Sequence, residues 1–476
     1  MAVAELLPRT QNAALLAAIS REPFGTRPFA HQIEGVAQLV ENAAWLLAWD
    51  MGLGKTAVVA YRLALGYRQQ HFAGPVLIVC PKSVLTVWPA ELARHANLDC
   101  VVLAGDKAER AAILRRVTSE SIVITNYEQC RLERDALAKL GFDVVVCDES
   151  HRIKSSRTQT NKAIRKIAKK SRMRWALSGT PAPNGPLDIF GTLAFIDARV
   201  CGDNWYGFRA RYGVCGGYAN KQIVAYQNLD ELEQKVATRS SRLLKEQALD
   251  LPEKVFVTRP CALSTPARKI YDALRKESLA KLESARGQGV LTIANVLTES
   301  LRLLQVAGGF VSDDDGTLHA IEPNTKLDLL ADLIEDIGQQ QVVIWAGFVA
   351  EVKAIARLLT GAVVHHGGLS LDERRESLAA FKSGSAQYFV ATPQSAREGL
   401  TLTEASLTIF YSRTYNLLDW SQAQDRLHRI GQRNRVTILS LTAERTIDEK
   451  VAKSLEKKAS LQELILSGAA SLGDLL

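Results

Sequence analysis

Short runs of apolar residues recur along the whole chain, and each is followed by a longer segment whose apolar residues have helical spacing. Such alternation is typical of repeated strand and helix units, in which parallel strands form a sheet that helices cover on both faces. The candidate strands lie at residues 45–49, 76–80, 101–103, 122–125, 144–147 and 175–177 in the first half, and at 342–346, 363–365, 388–391, 407–411 and 436–441 in the second. The pattern therefore predicts an α/β protein with two similar lobes.

The strand pattern fails between about residues 197 and 320, where the sequence becomes mainly helical and includes an aromatic and glycine-rich stretch at 205–226. We expect a mainly helical insertion there, divided between the lobes. Proline ends helices, so Pro252 is the candidate crossing point between a first lobe at residues 1–245 and a second at 246–476. Apolar residues at helical spacing from 446 to 466 predict a C-terminal brace helix that packs across both lobes.

Composition narrows the functional classes only slightly. The 476 residues are 47% apolar and 23% charged, as in ordinary soluble globular proteins. No apolar run approaches the roughly 18 residues that a membrane-spanning helix needs, so no membrane partner is expected. The seven cysteines include no C-x-x-C pair, which argues against a zinc cluster and suits a reducing cytosol. The net charge of +8 is compatible with a polyanionic partner but is too small to indicate one.

A phosphate-binding loop is the strongest local motif. Residues 50–56 read Asp-Met-Gly-Leu-Gly-Lys-Thr, after an apolar strand and before a helical segment. In such a loop the backbone N–H groups surround the phosphates, the lysine neutralises the β and γ groups, and the threonine hydroxyl binds Mg²⁺. Trp49 stands where the strict pattern has glycine, so the match is to a variant form. The predicted nucleotide-binding residues of this loop are Met51, Gly52, Leu53, Gly54, Lys55 and Thr56.

An acidic pair follows the apolar run at residues 142–147, at the carboxyl end of a strand, where open parallel sheets bind ligands. Asp148 is predicted to bind Mg²⁺ together with Thr56, and Glu149 to orient and deprotonate the attacking water. An isolated Asp-Glu pair is usually a solvated loop, but its combination with the phosphate loop favours the catalytic interpretation. Ser178, Gly179 and Thr180 then follow another apolar strand.

Several segments, in order, resemble helicase superfamily 2 and, within it, the Swi/Snf-type ATPases. They are Gln32 with Gly35, the loop at 50–56, residues 80–83 with Trp88, and the segments 125–127, 148–151, 177–181 and 422–432. The resemblance covers about residues 27–455, and its most specific segment is Gln-Asp-Arg-Leu-His-Arg-Ile-Gly-Gln at 424–432. It implies two RecA-like lobes and a nucleic-acid-dependent ATPase. Segments at 209–213, 228–232 and 238–254 are similar to the compact branch that includes annealing helicases and small bacterial and phage proteins.

The resemblance also implies roles for residues outside the loop. Gln32 would read the adenine edge, which favours ATP as the nucleotide, and Gly399 would contact the nucleotide. Arg426 and Arg429 are three residues apart, so a helix would place both guanidinium groups on one face as arginine fingers. The residues expected to couple nucleotide state to nucleic acid are His151, Lys154, Ser178, Gly179, Thr180 and Gln424. The sequence departs from the family at Arg397 and Glu398, where small residues are usual.

The segment from Arg152 to Arg174 contains ten lysines or arginines and no acidic residue. Such a run is usually a solvated helix face, but beside an ATPase strand of this family it indicates contact with nucleic-acid phosphates. We therefore expect a monomeric ATPase that translocates on or remodels duplex DNA without sequence specificity, in the cytoplasm of a bacterial or phage-infected cell. Two alternatives remain open: a strand-separating DNA or RNA helicase, and a slowly hydrolysing subunit that recruits a nuclease or replication partner. The sequence does not predict protein partners.

Overall fold

The computed structural model describes residues 12–216, 222–249, 251–287, 293–313, 317–398, 400–429 and 431–467. The chain divides into two compact units, the first formed by Met1–Asp250 with Lys458–Leu476 and the second by Leu251–Lys457. The division falls next to Pro252. Among the described residues no helix is long and apolar enough to span a membrane.

The first unit is built on a parallel sheet of seven strands among the described residues, in the order β3-β4-β2-β5-β6-β1-β9. These strands are β1 Ala44–Trp49, β2 Val76–Cys80, β3 Val101–Val102, β4 Ile122–Asn126, β5 Val144–Asp148, β6 Met173–Leu177 and β9 Ser240–Leu243, and a separate antiparallel hairpin joins β7 Gly213–Gly216 to β8 Gln222–Tyr226. The helices are α1 Ala13–Arg21, α2 Ala30–Glu41, α3 Lys55–Arg68, α4 Val87–Ala96, α5 Lys107–Arg115, α6 Tyr127–Leu132, α7 Arg134–Lys139, α8 Gln159–Ile167, α9 Phe190–Ile196, α10 Trp205–Tyr212, α11 Leu229–Ala237 and α12 Lys245–Ala248.

Both faces of this sheet are buried, which explains why its strands are nearly continuous apolar runs. Side chains alternate across a strand, so Leu46 and Ala48 pack into one core layer while Leu47 and Trp49 pack into the other. Helices cover both layers. Polar side chains of the central strands are therefore concentrated at the strand ends, and the loops at the carboxyl ends carry most of the predicted site.

The second unit repeats this construction with a parallel sheet in the order β10-β17-β16-β13-β15-β14. Its strands are β10 Lys254–Cys261, β13 Val342–Trp345, β14 Ala362–His365, β15 Tyr388–Ala391, β16 Leu407–Phe410 and β17 Val436–Ala443, beside a hairpin of β11 Phe310–Ser312 and β12 Leu318–Ala320. Its helices are α13 Thr265–Gly287, α14 Ile293–Ala307, α15 Thr325–Ile337, α16 Val349–Leu358, α17 Leu371–Lys382 and α18 Leu417–Gln424, and the C-terminal helix α19 spans Ile447–Ser467. The prediction of an α/β protein with two parallel sheets is confirmed.

The predicted strands agree with the observed ones to within two residues at each end, but two members of the main sheets were missed. Both β9 and β10 lie in the region from 197 to 320 that was expected to be helical. Each is an edge strand: β9 pairs only with β1, and β10 only with β17, among the described residues. Strand β9 is buried without an apolar run, because its polar side chains Ser240, Ser241 and Arg242 all form hydrogen bonds within the first unit.

The second unit also buries a carboxyl group in its core. Glu351 at the start of α16 is fully buried, and its Oε2 accepts hydrogen bonds from Ser412 Oγ and from the Phe348 N–H. Its Oε1 has no hydrogen-bond partner among the described residues. Burial raises the pKa of Glu351 to about 7, while nearby Lys326 opposes the shift and Asp448 adds to it.

We predict that Glu351 makes the second unit less stable as the pH rises. Its pKa in the folded chain is about 7, above the ordinary 4.5, so the folded state retains a proton that the unfolded state loses, and stability falls between about pH 5 and 8. The Glu351→Gln variant has no group that titrates at this position. Between pH 5 and 8 its free energy of unfolding should therefore fall by roughly 2 kcal/mol less than that of the parent protein. Urea unfolding at pH 5, 6.5 and 8 measures the difference. The exposed Glu376→Gln is the control, and parallel profiles for Glu351→Gln and the parent would contradict the prediction.

Candidate nucleotide site

The phosphate loop connects β1 to α3 and contains two glycines in the left-handed backbone region, Gly52 with φ 85° and Gly54 with φ 74°. The positive φ of Gly54 favours glycine, and a Cβ atom there would also lie 2.3 Å from Gln32 Nε2 and displace the end of that side chain. Lys55 Nζ donates hydrogen bonds to the carbonyl oxygens of Trp49 at 2.8 Å and Asp50 at 3.1 Å. Burial lowers the pKa of Lys55, and the nearby Glu149 and Asp148 carboxylates partly oppose that shift.

The start of α2 packs directly on this loop. Gln32 Oε1 accepts the Phe29 N–H at 2.9 Å, and its Nε2 lies 3.5 Å from the Leu53 carbonyl oxygen. His31, which has no role in the sequence prediction, places Nε2 3.0 Å from the same oxygen, so this nitrogen carries the proton. Burial lowers the pKa of His31, which favours the neutral ring. The predicted adenine reader Gln32 is thereby connected to the phosphate loop.

The acidic pair lies at the carboxyl end of β5. Asp148 Oδ1 accepts the Glu149 N–H at 2.9 Å, and Oδ2 accepts the indole N–H of Trp88 at 3.0 Å. The Tyr127 hydroxyl donates to the Asp148 carbonyl oxygen at 2.5 Å. Burial, followed by repulsion from Glu149, raises the pKa of Asp148 well above its ordinary value, while Lys55 opposes the shift. The pair therefore concentrates negative charge next to the ammonium of the phosphate loop.

His151 links this pair to the loop after β6. Its Nδ1 lies 3.3 Å from Glu149 Oε2 and 3.5 Å from Ser178 Oγ. Ser178 Oγ also accepts the Thr180 N–H at 3.2 Å. Gly179 packs against the phosphate loop, because a Cβ atom there would lie 2.8 Å from Met51 Cγ. The structure thus brings together the predicted coupling residues of the first unit other than Lys154, in contact with both the acidic pair and the loop.

In the second unit, the arginines are arranged differently from the prediction. Helix α18 ends at Gln424, so Arg426 and Arg429 lie in the turns beyond it and not on a helix face. Their guanidinium groups nevertheless converge, because both donate to the Leu400 carbonyl oxygen, at 3.2 Å and 3.1 Å respectively. The expectation of a helix was wrong, whereas the expectation that the two groups share one side agrees with the contacts.

The other two predicted site residues of the second unit are Gln424 and Gly399. Gln424 is buried, and its Nε2 has no hydrogen-bond partner among the described residues. Gly399 lies outside the described residues, so its predicted nucleotide contact stays a prediction.

The basic run divides into paired and unpaired side chains. Lys154 pairs with Asp188 at 3.0 Å, and Arg172 pairs with Asp143 at 2.6 Å. The exposed side chains that form no ion pair within the described part of the chain include Arg157, Lys162, Lys169 and Lys170. Lys154 is therefore a weaker candidate for a phosphate contact than these four residues.

Sequence reasoning missed several residues that hold the site in place. Trp88 and Tyr127 carried the family resemblance but were given no role, although both hydrogen-bond to Asp148. Arg242 pairs with Asp50, 192 residues earlier in the chain. A conspicuous tryptophan within a matched segment could have identified Trp88, whereas no local signal relates Arg242 to the loop.

Comparison with known proteins identifies the architecture. Residues 31–307 match the SNF2-related domain, and residues 325–431 match the helicase conserved C-terminal domain. Mouse chromodomain-helicase-DNA-binding protein 1-like is 26% identical over 471 residues, which cover 93% of this chain and 50% of that protein. The putative ATP-dependent helicase/translocase YwqA of Bacillus subtilis is 28% identical, over 88% of this chain and 46% of that protein. The chain thus spans half or less of the length of these two relatives.

This chain is also similar to a phage protein and to a solved structure. Putative protein p41 of Acyrthosiphon pisum secondary endosymbiont phage 1 is 25% identical, over 93% of this chain and 98% of that protein. The SWI2/SNF2 ATPase core of Sulfolobus solfataricus in complex with dsDNA is 25% identical, with a TM-score of 0.47, and the match covers 96% of this chain and 98% of that one.

We predict that Gly179→Ala weakens nucleotide binding. The added methyl group would push on Met51 and shift the phosphate loop, and overpacking of this kind costs ~1–3 kcal/mol, so we expect a loss of affinity of at least about fivefold. Titration of a fluorescent ATP analogue measures the dissociation constant. The additional change Met51→Ala should recover part of the loss, and Gly207→Ala, where a Cβ meets only ordinary contacts, is the control. Parent-like affinity in Gly179→Ala would contradict this interpretation.

Proposed function

Because this chain belongs to the SNF2-related family of helicase-type ATPases, we propose that it is a motor that uses ATP hydrolysis to move on or remodel duplex DNA. The observation that carries the proposal is the linked group of Lys55, Asp148, Glu149 and His151, in which the ammonium and both carboxylates lie at one edge of the first sheet. A site with this electrostatic arrangement suits a triphosphate. The ATP hydrolase activity follows from the family, whereas the DNA substrate is the proposed part.

The site fits a magnesium ion through its oxygen donors. The Asp148 carboxylate and the Thr56 hydroxyl are oxygen ligands of the kind that Mg²⁺ prefers, and the neighbouring Asp148 and Glu149 carboxylates supply negative charge that a cation would balance. Bound Mg²⁺ would neutralise charge on the phosphates. We propose Thr56 and Asp148 as its protein ligands.

The remaining groups of the first unit have distinct roles in hydrolysis. Lys55 would exchange its two carbonyl partners for the β- and γ-phosphates, since a charged oxygen is a stronger acceptor than a peptide carbonyl. Glu149 would take the proton of the attacking water, and His151 would hold the Glu149 carboxylate in place through Nδ1. In the second unit, the converging Arg426 and Arg429 are the proposed arginine fingers.

The proposed DNA contact rests on the unpaired part of the basic run. Arg157, Lys162, Lys169 and Lys170 are exposed and form no ion pair among the described residues. Cations of this kind bind phosphates without reading bases, so binding should be independent of sequence and steeply dependent on salt.

Two substitutions separate nucleotide binding from chemistry. Lys55→Ala should weaken ATP binding by at least about tenfold, because the triphosphate loses its buried cation. Glu149→Gln should retain binding but reduce turnover by roughly 100-fold or more, because the water loses its base. Equilibrium binding and phosphate release, measured on the same preparations, distinguish the two defects. Parent-like turnover in Glu149→Gln would show that another group is the base.

The nucleic-acid partner is tested by ATP turnover without polymer, with duplex DNA, with single-stranded DNA and with RNA. We expect duplex DNA to stimulate ATP turnover most. The joint change Lys169→Glu and Lys170→Glu should make the fall of log affinity with log salt less steep, by about two in the slope. Lys107→Glu, on the exposed start of α5, is the matched charge reversal. If RNA stimulated turnover most, the proposal of a duplex DNA substrate would be contradicted. Strand separation in a helicase assay would favour a strand-separating helicase.

A further inference from the structure

Asp50, the first residue after β1, uses all of its polar groups to join the phosphate loop to a distant segment. Its N–H donates to the Leu243 carbonyl oxygen at 2.9 Å, and its own carbonyl oxygen accepts Lys55 Nζ at 3.1 Å. Its carboxylate accepts Arg242 Nη1 on Oδ1 at 2.9 Å and the Lys245 N–H on Oδ2 at 3.1 Å. A single residue therefore contacts both the catalytic lysine and the start of α12.

The partner segment is held firmly against the loop. Strand β9 runs parallel to β1, with Trp49 opposite Leu243. The Arg242 side chain is only 9% exposed and also donates to the Ala48 carbonyl oxygen at 2.9 Å. A guanidinium with this degree of burial is little screened by solvent, so its pairing with Asp50 is stronger than that of a surface ion pair.

This segment leads directly to the division between the two units. Helix α12 ends at Ala248, and the second unit begins at Leu251. Asp50 is therefore connected through Arg242 and the Lys245 N–H to the last residues of the first unit. Asp50 hydrogen-bonds directly to Lys245, six residues before the second unit begins, although 195 residues separate the two along the chain.

The hydrogen bond from Lys55 makes this connection sensitive to the nucleotide. Lys55 Nζ donates to the Asp50 carbonyl oxygen, whereas the Asp50 carboxylate accepts Arg242 Nη1 and the Lys245 N–H, so Asp50 is shared between the phosphate loop and the partner segment. A triphosphate would draw the Lys55 ammonium to itself and satisfy its charge. Asp50 would then lose its bond to Lys55, and its position would be set by its contacts with Leu243, Arg242 and the Lys245 N–H.

We propose that Asp50 and Arg242 are a positioning pair that transmits occupancy of the phosphate loop to residues 244–249, next to the unit division. Neither side chain is placed to touch the reacting atoms. The inference rests on the proposed function only in that the loop must bind a nucleotide. Its consequence is that nucleotide binding restrains this segment.

Hydrogen exchange tests the proposal directly, because the Lys245 amide donates one of the bonds concerned. In the parent protein, saturating ATP analogue with Mg²⁺ should slow amide exchange in residues 244–249 by at least about threefold. In Asp50→Asn and Arg242→Gln the same nucleotide should bind within about threefold of the parent affinity, yet slow exchange there by less than about 1.5-fold. Arg242→Lys keeps the charge and should retain part of the effect.

The control is Arg110→Gln, which breaks a pair of comparable burial with Glu133, at 3.0 Å in the same unit, and should leave the nucleotide effect as in the parent. If Arg242→Gln does not fold, Asp50→Asn and Arg242→Lys provide the comparison. A parent protein that binds nucleotide without slower exchange at 244–249 overturns the inference, as does full slowing in both Asp50→Asn and Arg242→Gln. A parent protein that binds no nucleotide instead refutes the proposed function.

Discussion

The burial of both faces of a parallel sheet is the constraint on which the first unit depends. Strands such as β2 and β5 are apolar along almost their whole length, so polar side chains on them are confined to their ends. The carboxyl ends of all strands in such a sheet meet at one edge. Lys55 and Asp148, which lie 93 residues apart in the chain, are neighbours because one follows β1 and the other ends β5 at the same edge of this sheet.

At this edge of the sheet, burial makes the charged forms of side chains less stable. Burial alone lowers the pKa of Lys55 and raises that of Asp148, so each group opposes the cost of the other. The indole N–H of Trp88 and the backbone N–H of Glu149 further stabilise the Asp148 carboxylate. Two carboxylates beside one ammonium leave an excess of negative charge at this edge, which a bound cation would balance.

The core of the second unit also contains buried charged side chains. Lys326 and Asp448 form an ion pair 2.6 Å long, with side chains that are 1% and 5% exposed, and Glu351 lies near them in the core. Breaking such a pair on one side leaves a buried charge without compensation, so these residues restrict which side chains the core accepts. Arg426 and Arg429 lie outside this core, where their guanidinium groups share the Leu400 carbonyl oxygen.

Sequence alone determined the central strands, the phosphate loop and the acidic pair, because apolar runs and the Gly-Lys-Thr ending are local signals that a buried parallel sheet imposes on its own residues. It did not determine β9 and β10, since edge strands need no apolar run. It also did not determine that α18 ends at Gln424, because the spacing of Arg426 and Arg429 is typical of a helix that continues. Only the tertiary structure paired Asp50 with Arg242 and Trp88 with Asp148. These contacts join segments that are distant in the chain, and no pattern of neighbouring residues records which side chains a folded sheet brings within hydrogen-bonding distance.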